Sequence, residues 1–205
     1  MTTLMIPPQQ DADIERAKDF LFAVFGEQRW TEEKYLELSA NTNRLVELSE
    51  RRLFVLEMPT SDHQDIVLIL GRLFQDWARS YSGRALIAPY PVRLWPGKFR
   101  EPDVMLYSAE RRERVGKQYG GPPDLVVEVL SPGTEKTDTE EKLAEYAQAE
   151  IPEYWIVATE SPRVEQYVLS GNAYRLHARV GPGEAVRAAT LADLEAPVDS
   201  IYAVG

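Results

Sequence analysis

Apolar residues along the chain switch between a helical spacing and a period of two, and the switches mark its elements. After a polar, proline-containing start, Ile14, Ala17, Leu21 and Phe25 recur at helical spacing in IERAKDFLFAVFGEQRW, which predicts a helix in an N-terminal appendage spanning residues 1–30. TEEKYLEL offers Thr31 as an N-cap with acidic residues in the first turn, a short-helix start. NRLVELSERRLFVLEMP then reads as two short strands about a polar Ser49-Glu50-Arg51 turn, with Leu53, Val55 and Glu57 sharing a face. In SDHQDIVLILGRLFQDWARSY, Ile66, Leu70, Leu73 and Trp77 form one stripe, the most secure helix of the chain, with Asp62 as its cap.

The second half is richer in strands. ALIAPYPVRLW, a Pro96-Gly97 turn and EPDVMLYS precede the charged loop AERRERVGKQYGGPP. DLVVEVLS follows, an aliphatic run broken by one glutamate, as a central strand buried on both faces would show. A helix over TDTEEKLAEYAQAE leads into EYWIVAT, where Tyr154 and Trp155 read as sheet and core packing, and then into a hairpin of RVEQYVLSG and AYRLHARV turned at Ser170-Gly171-Asn172. The tail LADLEAPVDSIYA is too mixed to assign. Alternation of helices and strands in this order predicts an α/β (mixed α+β) fold with a central mixed sheet flanked by helices, in one domain over residues 31–205.

Composition narrows the chemistry. The 205 residues are 44% hydrophobic and 27% charged, the balance of a globular protein with a single well-buried core. With no cysteine and two histidines, thiolate sites are excluded and any catalytic metal must be held mainly by oxygen, which suits magnesium, manganese or calcium. No apolar run approaches the length of a membrane span and the start lacks the order of a signal peptide, so the expected location is the cytoplasm. A formal charge of −10 weighs against broad affinity for nucleic acid, which rests on lysine and arginine.

Glu128, in the middle of VVEVL, carries the most information, because burying a carboxylate costs several kcal/mol unless a cation or donors meet it. By strand alternation Val126, Glu128 and Leu130 share one face, and Leu125, Val127 and Val129 the other. Asp103, just before VMLYS, would lie close to Glu128 if the two strands are neighbours, and two such carboxylates call for a divalent cation. Lys142 falls four residues after Asp138 and four before Tyr146, one helical stripe that can aim an ammonium at the same place. Plainer readings stand beside these. Glu128 could pair with an arginine, Asp103 could cap a turn, and Asp138–Lys142 could be a plain i, i+4 ion pair. Asp124 and Asp138 read as turn and N-cap residues. The run ERRERVGK reads as a solvated loop and the best local candidate for touching phosphates.

EPDVMLY, PPDLVVEVLSPGT and DTEEKLAEYAQAEIPEYWIV resemble the signature of the Uma-two family, a restriction-endonuclease-like branch of the PD-(D/E)xK superfamily. The similarity runs from Thr31 to the C-terminus and is most specific from Pro123 to Val157. It implies a magnesium- or manganese-dependent endonuclease acting on nucleic acid, DNA first, with Asp103 and Glu128 as metal ligands. The superfamily's usual lysine position is Leu130 here, so the resemblance passes that role to Lys142. It also brings in Glu47 as a further site residue to complete the metal shell, and His63 at the start of the long helix as a supporting or structural one. The family's hairpin glycine is replaced by Glu50-Arg51. A homodimer is expected by analogy. Two other function classes fit the same residues: a catalytically silent nuclease-fold interaction protein, favoured by the acidic balance, and a metal-dependent hydrolase of small phosphorylated molecules.

Overall fold

The computed structural model describes residues 29–42, 44–131 and 135–203. The helix expected over residues 14–28 lies outside them. The strongest pattern produces the backbone of the architecture: helix α2 (Ser61–Ser80) buries Ile66, Val67, Leu70, Phe74 and Trp77 along one stripe. Its N-cap is Thr60, whose hydroxyl accepts from His63 N, and not Asp62. Helix α1 (Glu32–Asn41) is capped by Thr31 as its sequence predicts.

The main sheet has six strands in the order β10-β9-β8-β7-β6-β3. These are β3 (Arg84–Ile87), β6 (Val104–Tyr107), β7 (Leu125–Val129), β8 (Glu153–Ala158), β9 (Arg163–Ser170) and β10 (Ala173–Val180). Only β7 and β8 pair in parallel, so the sheet is mixed. Helix α2 covers the face carrying Leu125, Val127 and Val129, where Phe74 meets the edge of Trp155. The opposite face, with Val126 and Leu130, packs on Tyr146 and Ala147 of helix α3 (Lys142–Gln148). That is the division which strand alternation predicts.

A second sheet of order β2-β1-β5-β4 is built from β1 (Val46–Ser49), β2 (Arg52–Val55), β4 (Val92–Trp95) and β5 (Lys98–Arg100). β5 is a finding: three residues, two of them cationic, leave no apolar alternation to read. Leu53 and Val55 share one face of β2, opposite Leu48 and Val46, but Glu57 does not join them. β2 is an edge strand, Val55 is 56% exposed, and Glu57 lies beyond its end. The mixed tail resolves into β11 (Ala185–Arg187), β12 (Glu195–Pro197) and the short helix α4 (Val198–Ile201).

Helix α3 is entered through a π-helical turn, Thr137–Glu141, in which Lys142 N bonds to Thr137 O. The turn corrects the N-cap reading of Asp138: the residue is 2% exposed and faces inward. Such wide turns recur at functional sites because they re-aim side chains that a regular helix would point elsewhere.

Candidate metal centre

β6 and β7 run antiparallel with Val104 opposite Val127, so continuing the register by one places Asp103 opposite Glu128. Asp103 Oδ2 accepts from Val129 N at 2.8 Å, which ties the carboxylate across the ladder, and lies 3.2 Å from His63 Nε2. His63 Nδ1 is buried and has no hydrogen-bond partner among the described residues. Glu128 Oε1 accepts from Tyr146 OH at 2.5 Å, and Oε2 lies 2.9 Å from Lys142 Nζ. The ammonium is also 2.8 Å from Asp138 Oδ1, a distance without hydrogen-bond alignment that leaves this buried oxygen otherwise unpartnered. The stripe Asp138, Lys142, Tyr146 therefore delivers three side chains to one place. The structure brings Asp103, Glu128 and Lys142 together.

Glu47 joins from β1. Its Oε2 takes Arg100 at 2.5 Å and its Oε1 accepts from Glu101 N at 3.2 Å, so both oxygens are engaged while its charge still acts on Lys142. Arg100 is the residue that the sequence hides. It sits at the end of the three-residue β5 and bonds Glu47 on one side and Glu145 of α3 on the other. Lys98, two residues earlier on the same face, donates to Glu145 and to Ser49 Oγ.

Burial sets the electrostatics. It pushes the Glu128 carboxyl well above the usual range; Lys142 opposes the shift, and Asp103 and Asp138 add to it. Burial works against the charge on Lys142 too, but Glu128, Glu47, Asp138 and Asp103 outweigh it and hold the amine above its ordinary value. Glu47, desolvated but facing Arg100 and Lys142, is held below the usual range. Glu47, Asp103, Glu128 and Asp138 bring four carboxyl groups to this interior against the Lys142 ammonium and the Arg100 guanidinium, so acidic groups outnumber these two cations. Among the described residues no three His, Asp or Glu side chains form a ready-made metal cage. Two hard carboxylates from adjacent strands fit magnesium nonetheless, since that ion keeps most of its shell as water and substrate oxygen.

The loop ERRERVGK is at the other end of these strands. Asp103 precedes β6 and Glu128 is near the end of β7, whereas the loop joins the far end of β6 to the start of β7. Its arginines are spent on the fold: Arg111 bonds Pro123 O and pairs with Asp124, Arg112 bonds Ser82 O, and Arg114 bonds Pro122 O. That topology puts the loop at the end of the sheet away from Asp103 and Glu128. Asp124, which also accepts from Ser108 N, is the turn residue expected. Tyr154 and Trp155 are wholly buried, as core packing requires.

A mixed sheet with a long helix on one face, carrying a carboxylate-lysine cluster at the β6–β7 end, is an architecture shared with a nuclease-fold protein. A solved structure described as "a putative nuclease belonging to DUF820", from Anabaena variabilis, superposes with a TM-score of 0.64 at 14% identity, over 82% of this chain and 96% of that one. The likeness is one of fold. The model of the Uma2 (Uma-two) family, described as "Putative restriction endonuclease", matches residues 32–199, and the chain belongs to that family. No curated protein matches the chain. Among the described residues no helix is long and apolar enough to cross a membrane.

Proposed function

We propose that this protein is a magnesium- or manganese-dependent endonuclease that hydrolyses phosphodiester bonds in nucleic acid, DNA first. Asp103 and Glu128 are the metal ligands, and Lys142 is the ammonium beside them. The observation that carries the reading is the convergence of Lys142 on Glu128, with Asp103 opposite it on the neighbouring strand, in an interior where carboxyl groups outnumber cations. A bound metal supplies charge on a phosphoryl oxygen and a water acidic enough to attack. Lys142 keeps its proton in this setting, so its role is to donate a hydrogen bond and stabilise charge building on the phosphoryl oxygens, not to act as a base. Asp138 and Glu47 hold that ammonium charged; Tyr146 fixes Glu128 Oε1; His63 and Val129 N fix Asp103. Membership of a family described as restriction endonucleases supports nucleic acid as the substrate. The same reading puts the protein in the cytoplasm.

The test is cleavage of single- and double-stranded DNA and RNA in magnesium or manganese, beside the Glu128→Gln variant. Cleavage lost by at least about a hundredfold in the variant is expected; cleavage by neither protein, or equally by both, rejects the assignment. One observation favours a second reading, a silent nuclease-fold interaction protein: Glu128 is 2% and Lys142 5% exposed, in a chain of charge −10. It predicts neither Asp103-dependent binding of manganese nor cleavage of any nucleic acid.

A further inference from the structure

Next to the centre, a cavity of about 310 Å³ opens between two turns. Glu50 and Arg51 of the β1–β2 turn form one wall, the β4–β5 turn with Trp95 the other, and Lys98 and Glu145 the floor. The volume is at the small end for ligand sites, enough for one nucleotide and too small for a duplex.

Three features mark it as built. Lys98 has its side chain 4% exposed, with Nζ 6.0 Å from the centroid of the Trp95 ring. Burial lowers its pKa, and the Glu145 carboxylate beside it opposes the shift. Glu145 is shared, since the same carboxylate holds Arg100, which in turn holds Glu47. An anionic group arriving at Lys98 would therefore meet a lysine and an arginine already arranged around one carboxylate, with Arg100 also bonded to Glu47. Finally, Glu50 and Arg51 both adopt left-handed backbone, φ 49° and 64°, in a turn where glycine or asparagine is the easy choice. Arg51, an exposed residue, lines the cavity from that costlier backbone conformation.

We infer that this cavity binds one unpaired nucleotide of the substrate strand next to the scissile bond, its base against Trp95 and its phosphate against Arg51 and Lys98. The inference rests on the nuclease reading and sharpens it, because only a single strand or a frayed end can offer an unpaired base. An indole face gives sequence-tolerant stacking, and a guanidinium gives a phosphate contact that salt weakens.

The test measures binding of a fluorescein-labelled single-stranded DNA of about twelve nucleotides, and of its blunt duplex, to the Glu128→Gln protein, which binds without cutting. Arg51→Ala and Trp95→Leu are then introduced separately, each checked for an unchanged melting temperature. The single strand should bind at least about tenfold tighter than the duplex, and each variant should weaken it by about tenfold. Arg51→Ala should also reduce the slope of log K against log salt by about one. Should Trp95→Leu fold poorly, Trp95→Phe, which keeps a smaller ring, should give an intermediate affinity. Single-strand affinity unchanged in Arg51→Ala and the Trp95 variant, with the unmutated protein still cutting DNA, overturns the inference and spares the nuclease reading. No binding by any form and no cutting by the unmutated protein overturns both.

Discussion

Glu128 on β7 and Glu153 on β8 are both buried, on neighbouring parallel strands in which Glu153 lies opposite Leu125, three positions before Glu128. Their surroundings differ in kind. Glu153 Oε1 accepts from Trp155 Nε1 at 2.6 Å and Gln166 Nε2 at 2.7 Å; Oε2 accepts from Ala189 N and Thr190 N, both at 2.9 Å, and Thr190 Oγ1 at 2.8 Å. Five neutral donors from three parts of the chain satisfy one carboxylate and anchor the C-terminal segment to the sheet. Glu128 has one neutral donor and a lysine shared with Asp138, while two other carboxylates repel it. A saturated carboxylate is a structural anchor with nothing left to offer a ligand; an undersupplied one keeps affinity for a cation.

Replacement should separate the two most sharply in stability. Glu153→Gln turns one acceptor oxygen into a donor facing donors, and unfolding in urea should show a loss of about 4 kcal/mol, with metal affinity of the folded fraction unchanged. Glu128→Gln should do the reverse. Because burial raises the Glu128 pKa, its ionisation disfavours folding, so the carboxylate's contribution is best at low pH and worsens as pH rises above the ordinary carboxyl range. The metal-free variant should match the parent near pH 4 and gain on it steadily toward pH 8. A Glu128→Gln loss as large as that of Glu153→Gln would break the comparison.

Lys142→Met removes the shared cation and should cost about 3 kcal/mol at pH 8, read by thermal unfolding, together with all cleavage. Glu101, a third buried glutamate, grades the comparison. Burial and the neighbouring Glu47 push its carboxyl up to about 8, against donors from Val46 N and Ser39 Oγ. Its folded pKa exceeds its unfolded one, so stability falls between about pH 4.5 and 8. Glu101→Gln should therefore stabilise by about 2 kcal/mol at pH 8 and by nothing below pH 4.5, in parallel denaturant titrations. The smallest effect is a control away from both glutamates: Glu50→Asn with Arg51→Gly relieves two left-handed residues and should raise stability by about 1 kcal/mol, visible as a higher melting temperature.

The long amphipathic helix, the central strand VVEVL, the β9–β10 hairpin and the Asp103–Glu128–Lys142 set were legible because each has a local signature: a period, a turn, or a carboxylate where none belongs. What was not legible depends on distant chain. Arg100, Lys98 and Glu145 become partners only when a three-residue strand closes over α3, and KFR carries no alternation. Asp138 looks like a cap in TDTEEK because a π turn cannot be told from the start of an α-helix by spacing alone. Glu153 looks like the ragged edge of EYWIV, since its five donors come from β8, β9 and the loop after β11. The hairpin turn was read correctly despite lacking the favoured residues, because the flanking strands were apolar enough to define it.

Calorimetric titration of manganese into the purified protein, the Asp103→Ala variant and the Glu153→Gln variant, each verified as folded, tests the central claim most directly. Binding of manganese by the parent, its loss in Asp103→Ala and its survival in Glu153→Gln are predicted. Equal binding by the parent and Asp103→Ala, or none by the parent, would contradict the assignment of Asp103 and Glu128 as the metal centre.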